Sequence, residues 1–378
     1  VRKLSHDAKL YNILRSAKSW KRKVVSRNKR LIKSRIQSRV RPEAARSDIN
    51  RPQVRYRKKK VRYISLPSIL SLRHNYKEVV EFLDEFHSLI LSDRRKVHVD
   101  FNKVRAISSG ASLVLVAELD RWRKLYNFRP AAPYLEKWDE GVRRSFEQMG
   151  LFEILEVVNT PTYNLEASDE RTFIKYSTGQ RVLGESAKKL KEVVSDLAEI
   201  EFMNKSMYDA IVEAMQNAIH HAYNEETKRS SIKLDSHWWM SGVFFGRDRR
   251  LHISFYDLGV GIPSALPARF GVEAIQEFLA GLGWASTDAN KIYAAMELGR
   301  SGTGQKHRGK GLPQMRDFVD KFSPGSLRII SGHGELCYDS DENGVGAYRR
   351  TTHARPLEGT LIQWDIQLPS PQSQGSLI

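Results

Sequence analysis

Glu213-Ala-Met-Gln-Asn217-Ala-Ile-His-His221-Ala-Tyr223 is the stretch on which the reading of this chain turns. Written as a helix, it puts Glu213, Asn217 and His221 on one face, because residues four apart lie one turn above another. Ala210, Ala214 and Ala218 make an adjacent small-residue stripe suited to close packing. An amide oxygen is a ligand for Mg²⁺, a hard cation that prefers oxygen and keeps several waters. A carboxylate one turn earlier can orient or deprotonate a nucleophile beside a γ-phosphate. A polar helix face turned to solvent has the same spacing, so the meaning of this segment depends on what else the chain supplies.

Working outward, three more stretches add to it. Leu251-His-Ile-Ser-Phe-Tyr256 reads as a strand and runs into Asp257-Leu-Gly259-Val-Gly261-Ile-Pro263. An aspartate at a strand end can accept a hydrogen bond from an exocyclic amine, and glycines beyond it let a flat base approach the backbone. Arg308-Gly309-Lys310-Gly311-Leu312 opens a helix. Gly-rich amides at a helix start form an anion site, to which Lys306, Arg308 and Lys310 add charge. Glu358-Gly359-Thr360 then leads a strand to Pro369, where the Thr360 hydroxyl could bridge to a base through water.

In this order and spacing the four motifs resemble the GHKL superfamily of gyrase, Hsp90, histidine-kinase and MutL ATP-binding domains, over about 170–369. Glu-Ala-x-x-Asn-Ala-Ile-x-His-x-Tyr is most similar to its anti-sigma serine-kinase branch. The resemblance implies an α/β fold, the Bergerat sandwich, with helices over one face of a mixed sheet. It implies ATP and Mg²⁺ as cofactors, with Asn217 on the metal, Glu213 as base and Asp257 reading adenine. Gly259, Gly261, Gly309 and Gly311 would line the nucleotide; His221, Lys306, Arg308, Lys310, Leu312 and Thr360 complete the expected site. The segment 262–308, with helix-like Val272–Leu282 and Asp288–Leu298, is long for that branch and reads as an enlarged lid.

Ahead of this half, residues 75–92 read as a helix and Lys96–Phe101 as a strand. Asp100-Phe-Asn-Lys-Val-Arg-Ala-Ile-Ser108-Ser109-Gly110-Ala then opens a long apolar helix, and Val142–Leu155 holds a shorter one. These residues, about 62–160, resemble the STAS family of anti-sigma antagonists. By that resemblance Ser109 aligns with a phosphoacceptor serine; read from the residues alone, Ser108 or Ser109 caps the helix. Ile107 stands where the family pattern has an aspartate. The expected layout is an arm over 1–62, a STAS-like domain over 63–164, the ATP-binding domain over 165–369 and a polar tail over 370–378.

The net charge of +18 belongs to the arm: residues 1–62 hold 23 Lys and Arg against three acids, leaving 39 basic against 41 acidic residues beyond. Any nucleic-acid or anionic-lipid contact is therefore expected of the arm alone, where Tyr11, Trp20, Tyr56 and Tyr63 interleave with the charge. No apolar run approaches the roughly 20 residues that span a bilayer. One cysteine, Cys337, excludes an internal disulfide and suits a reducing, cytoplasmic setting. The function classes carried forward are a regulatory ATPase that switches contacts with a STAS-like or sigma-type protein partner, with homodimerisation possible, a serine kinase, and a nucleotide-gated nucleic-acid binder.

Overall fold

A strand with apolar residues on both sides needs cover on both faces. Trp238–Phe244 is buried at every position, and that demand shapes the protein. The computed structural model describes residues 62–93, 97–126, 135–156, 171–180, 205–220, 237–298 and 311–369, all within the unit Lys59–Ile378. Residues 1–61 of the expected arm, residues 181–204, His221, the segment 299–310 with Lys306, Arg308, Gly309 and Lys310, and the tail lie outside the described residues.

The central sheet has five strands: β5 (Arg171–Gly179), β6 (Trp238–Phe245), β7 (Arg250–Asp257), β8 (Gly325–Ser340) and β9 (Gly346–Gln367), in the order β5-β6-β7-β9-β8. The expectation of a mixed sheet is corrected here, since every neighbouring pair is antiparallel. The reason is connectivity. Short turns join β6 to β7 and β8 to β9 as hairpins, and β9 returns between β7 and β8, so the two strands that share a direction never pair.

Alternation along each strand sends side chains to two cores. On the back face, Trp238, Met240, Phe244, Leu251, Ile253, Phe255, Ile362 and Trp364 pack with helices. These are α5 (Lys205–His220), α6 (Ile262–Phe270), α7 (Val272–Gly281), α8 (Asp288–Leu298) and α9 (Gly311–Asp320). Within α8, Ala289, Ile292, Ala294, Ala295 and Met296 are buried, and Asp288 Oδ2 accepts from the His333 N–H at 3.0 Å. This part of the expected lid is thus a wall of the core.

On the front face, Trp239, Tyr256, Ile330, Leu357 and Leu361 share a core with residues 64–155. There β1 (Arg62–Ser65) pairs parallel with β3 (Val97–Asp100), and β2 (Ile69–Leu70) with β4 (Ala106–Ile107). The crossover is α1 (Tyr76–Asp93), whose Val79, Val80, Phe82, Leu83, Phe86, Leu89 and Ile90 recur every three or four residues and are buried. Next comes α2 (Ser109–Tyr126), buried all round from Ala111 to Ala117 because it lies between this lobe and strands β6, β7 and β9. The helix α3 (Glu140–Gln148) starts at Asp139, whose carboxylate accepts from the Val142 N–H at 3.1 Å, and α4 (Leu151–Ile154) follows. Polar contacts pin the lobe to the sheet, among them Trp239 Nε1 donating to Asp120 Oδ2 at 2.9 Å and Arg328 donating to the Leu72 carbonyl at 2.9 Å.

Candidate functional site

Strand register sets the site. Asp257 stands opposite Thr360, and Thr360 opposite Ser331, so β7, β9 and β8 offer three polar residues in a row. Asp257, Thr360 and Ser331 are all buried. Above the row runs α5, and α6 leaves directly from Gly261. Between them is a cavity lined by Ala214, Asn217, Asp257, Gly261, Ala265, Arg269, Leu312 and Thr360. Five residues expected at the nucleotide, from four separate segments, therefore surround one space. Of the other described ones, Gly259 and Glu213 are not part of its lining, and Gly311 is the first residue of α9.

Ser331 ties the floor together. Its hydroxyl donates to the Gly359 carbonyl at 2.8 Å, accepts from the Ile262 N–H at 2.9 Å and lies 3.1 Å from Thr360 Oγ1. Gly261 has φ +80°, and a Cβ there would come within 2.6 Å of Ser331 Oγ. Gly359 has φ +78°, and a Cβ there would collide with the Asp257 carbonyl oxygen. Both glycines are thus demanded by close approach as well as by backbone conformation.

Among the described residues, the Asp257 carboxylate accepts one hydrogen bond, from the Gly259 N–H at 2.8 Å. Burial pushes its pKa up from 3.8 to about 7, and the Gly259 bond pulls the other way without compensating. Across the cavity, Asn217 Nδ2 is buried with no hydrogen-bond partner among the described residues. Arg269 completes the wall. Its guanidinium lies 5.1 Å from the Phe270 ring centre; burial lowers its pKa, and Glu213 acts against that.

Ser331, Ala265 and Arg269 were not among the residues singled out from sequence. Ser331 had a readable signal, a lone serine on the inward side of Leu327–Ile329. Arg269 had none, because its place depends on how α6 turns back toward α5.

Ser109 sits elsewhere. With Ser108 it lines a larger cavity, about 330 Å³, between the front lobe and the front face of the sheet. Ser108 takes the cap, its hydroxyl accepting from the Ala111 N–H at 3.4 Å, while the Ser109 carbonyl accepts from Ser112 at 2.7 Å. Among the described residues no helix is long and apolar enough to cross a membrane.

No protein-family model matches the chain, and no curated protein does.

Proposed function

We propose that this protein binds ATP with Mg²⁺ in the cavity between α5, α6 and the ends of β7 and β9, and uses the bound nucleotide to switch its contacts with a protein partner, hydrolysing it slowly. The observation that carries the reading is the convergence of Asn217, Asp257, Gly261, Leu312 and Thr360 on one space. Asp257 has an acceptor to give to the exocyclic amine of adenine, and Thr360 and Ser331 supply hydroxyls beside it. Asn217 lines the same cavity, and its amide oxygen is the kind of donor Mg²⁺ takes; Mg²⁺ held there would offset phosphate charge. Glu213, one turn earlier on the same helix, is placed to orient a water, and Arg269 adds a cation.

The cavity encloses about 70 Å³, below the roughly 300 Å³ at which small-molecule sites begin. Binding must therefore part its walls. Leu312, in the first turn of α9, is the wall whose shift leaves the sheet undisturbed. The proposal includes the finer fold reading, a Bergerat-type sandwich behind a STAS-like lobe, supported by helices over one sheet face and a β-α-β lobe over the other. A serine-kinase activity directed at Ser109 of the same chain is disfavoured, because Ser109 lies on the front side and the cavity on the back. The test is calorimetry of the full chain with a non-hydrolysable ATP analogue and Mg²⁺. Saturable binding lost in Asn217→Ala supports the reading, and binding indifferent to that substitution overturns it.

A further inference from the structure

Glu358-Gly359-Thr360 faces two ways. Thr360 looks into the cavity, while Glu358 is gripped by the front lobe. Both Glu358 oxygens accept from Arg121, at 2.9 and 3.2 Å, and the Tyr256 hydroxyl donates to the Glu358 carbonyl at 2.7 Å. Arg121 is 5% exposed and also approaches Glu118 Oε1 at 3.4 Å. Glu118 is 1% exposed and lies 2.7 Å from His87 Nε2, and His87 Nδ1 is 3.8 Å from Glu358.

Glu358 is 41% exposed and water reaches it, so the carboxylate that depends on its neighbours is Glu118. Its two cations are His87 at 2.7 Å, when protonated, and Arg121 at 3.4 Å, which Glu358 shares; loss of the His87 proton removes the nearer one, which is costly in a low-dielectric site. Asp84, from the same helix as His87, also borders the cluster, but it is engaged by Arg355 at 2.8 Å. Tyr256 is the remaining titratable neighbour, and its burial and the surrounding carboxylates hold it well above its usual range. Burial works against a charged His87; Glu118 first and Glu358 after it outweigh that and raise its pKa. The set of His87, Glu118 and Glu358 is not read as a metal site, because Arg121 already occupies both Glu358 oxygens.

The link to the cavity is mechanical. Gly359 lies so close to the Asp257 carbonyl that a Cβ does not fit, and Tyr256 is the residue before Asp257. A displacement of Glu358 therefore shifts both Thr360 and Asp257.

We propose that His87, Glu118 and Arg121 of the front lobe are positioning residues for the nucleotide cavity, holding Glu358-Gly359-Thr360 in place, and that this hold requires a protonated His87. The consequence for affinity rests on the nucleotide reading; the hold itself does not. Deprotonation loosens β9 at 357–361 and weakens nucleotide binding, so that one lobe tunes the other lobe's site.

Two measurements on the full chain separate these claims. The first is amide hydrogen exchange of 357–361 without nucleotide, corrected for intrinsic rates, between pH 7 and 9. Protection in the native chain should fall with pH and be low throughout in His87→Gln. The second is affinity for a non-hydrolysable ATP analogue with Mg²⁺, which should drop about 5- to 10-fold over that range and become flat in His87→Gln. Tyr256→Phe removes a hydrogen bond and no charge, so it should weaken binding and keep the pH dependence. Native-chain protection that does not change with pH overturns the hold. A pH dependence of affinity that persists in His87→Gln overturns the role of His87. Absence of any nucleotide binding defeats the nucleotide reading, with the exchange measurement still deciding the hold.

Discussion

Replacing Asp257 with Asn should make the protein more stable at alkaline pH while removing nucleotide binding. The folded protein keeps this carboxyl protonated up to about 7, against 3.8 when exposed. That gap is about three units, or at most about 4 kcal/mol at 1.36 kcal/mol per unit. The sign follows from proton counting. Well below pH 4, both states hold the proton and the site is harmless. Between about 4 and 7 the unfolded chain releases the proton first, so native stability falls by up to about 1.4 kcal/mol per unit; above 7 the loss is complete. The amide introduced by Asp257→Asn would match the shape, keep an acceptor for the Gly259 N–H and never ionise. Urea denaturation followed by tryptophan fluorescence should show the Asp257→Asn protein about 2–4 kcal/mol more stable than the native chain at pH 8, and only about 1 kcal/mol more stable at pH 4.5. The same variant should bind ATP at least about tenfold more weakly, because a charged acceptor has been replaced. A variant that is less stable at pH 8, or a stability difference that does not change with pH, would refute the reasoning.

Other expectations follow from the same geometry. Asn217→Ala should abolish Mg²⁺-dependent binding by calorimetry yet shift stability by less than about 1 kcal/mol, because its buried Nδ2 has no partner to lose. Gly261→Ala should destabilise the fold by about 1–3 kcal/mol in thermal melts, through its φ of +80° and the contact with Ser331. Trp239→Phe removes the only donor from the sheet to Asp120 among the described hydrogen bonds, at 2.9 Å. It should cost about 1–3 kcal/mol in urea denaturation and loosen the lobe without touching the cavity.

Local signals were the legible part of this fold. The helices over 76–93, 109–126, 140–148, 272–281 and 288–298 declared themselves by apolar spacing, which depends on near neighbours alone. Strands β5 and β6 did not. In β6, Trp238–Phe244 is buried on both faces, so it lacks the alternation by which a half-exposed strand is recognised. The antiparallel order depends on β9 threading between β7 and β8, a long-range pairing with no local trace. Of the site, Asn217, Asp257, Gly261 and Thr360 could be picked out because each sits in a motif with its own chemistry. Arg269 and the His87–Glu118–Arg121–Glu358 cluster could not, because their neighbours are distant in sequence and meet only in the folded chain.

The central claim is that one cavity of this protein holds an adenine nucleotide. Its most direct test is competitive binding of a fluorescent ATP analogue to the full chain with Mg²⁺. Saturable binding should be displaced by ATP and not by GTP, whose base presents a carbonyl to Asp257 in place of the amine. The signal should disappear in both Asp257→Asn and Asn217→Ala. Displacement by GTP as effective as by ATP, or binding that survives both substitutions, would contradict it.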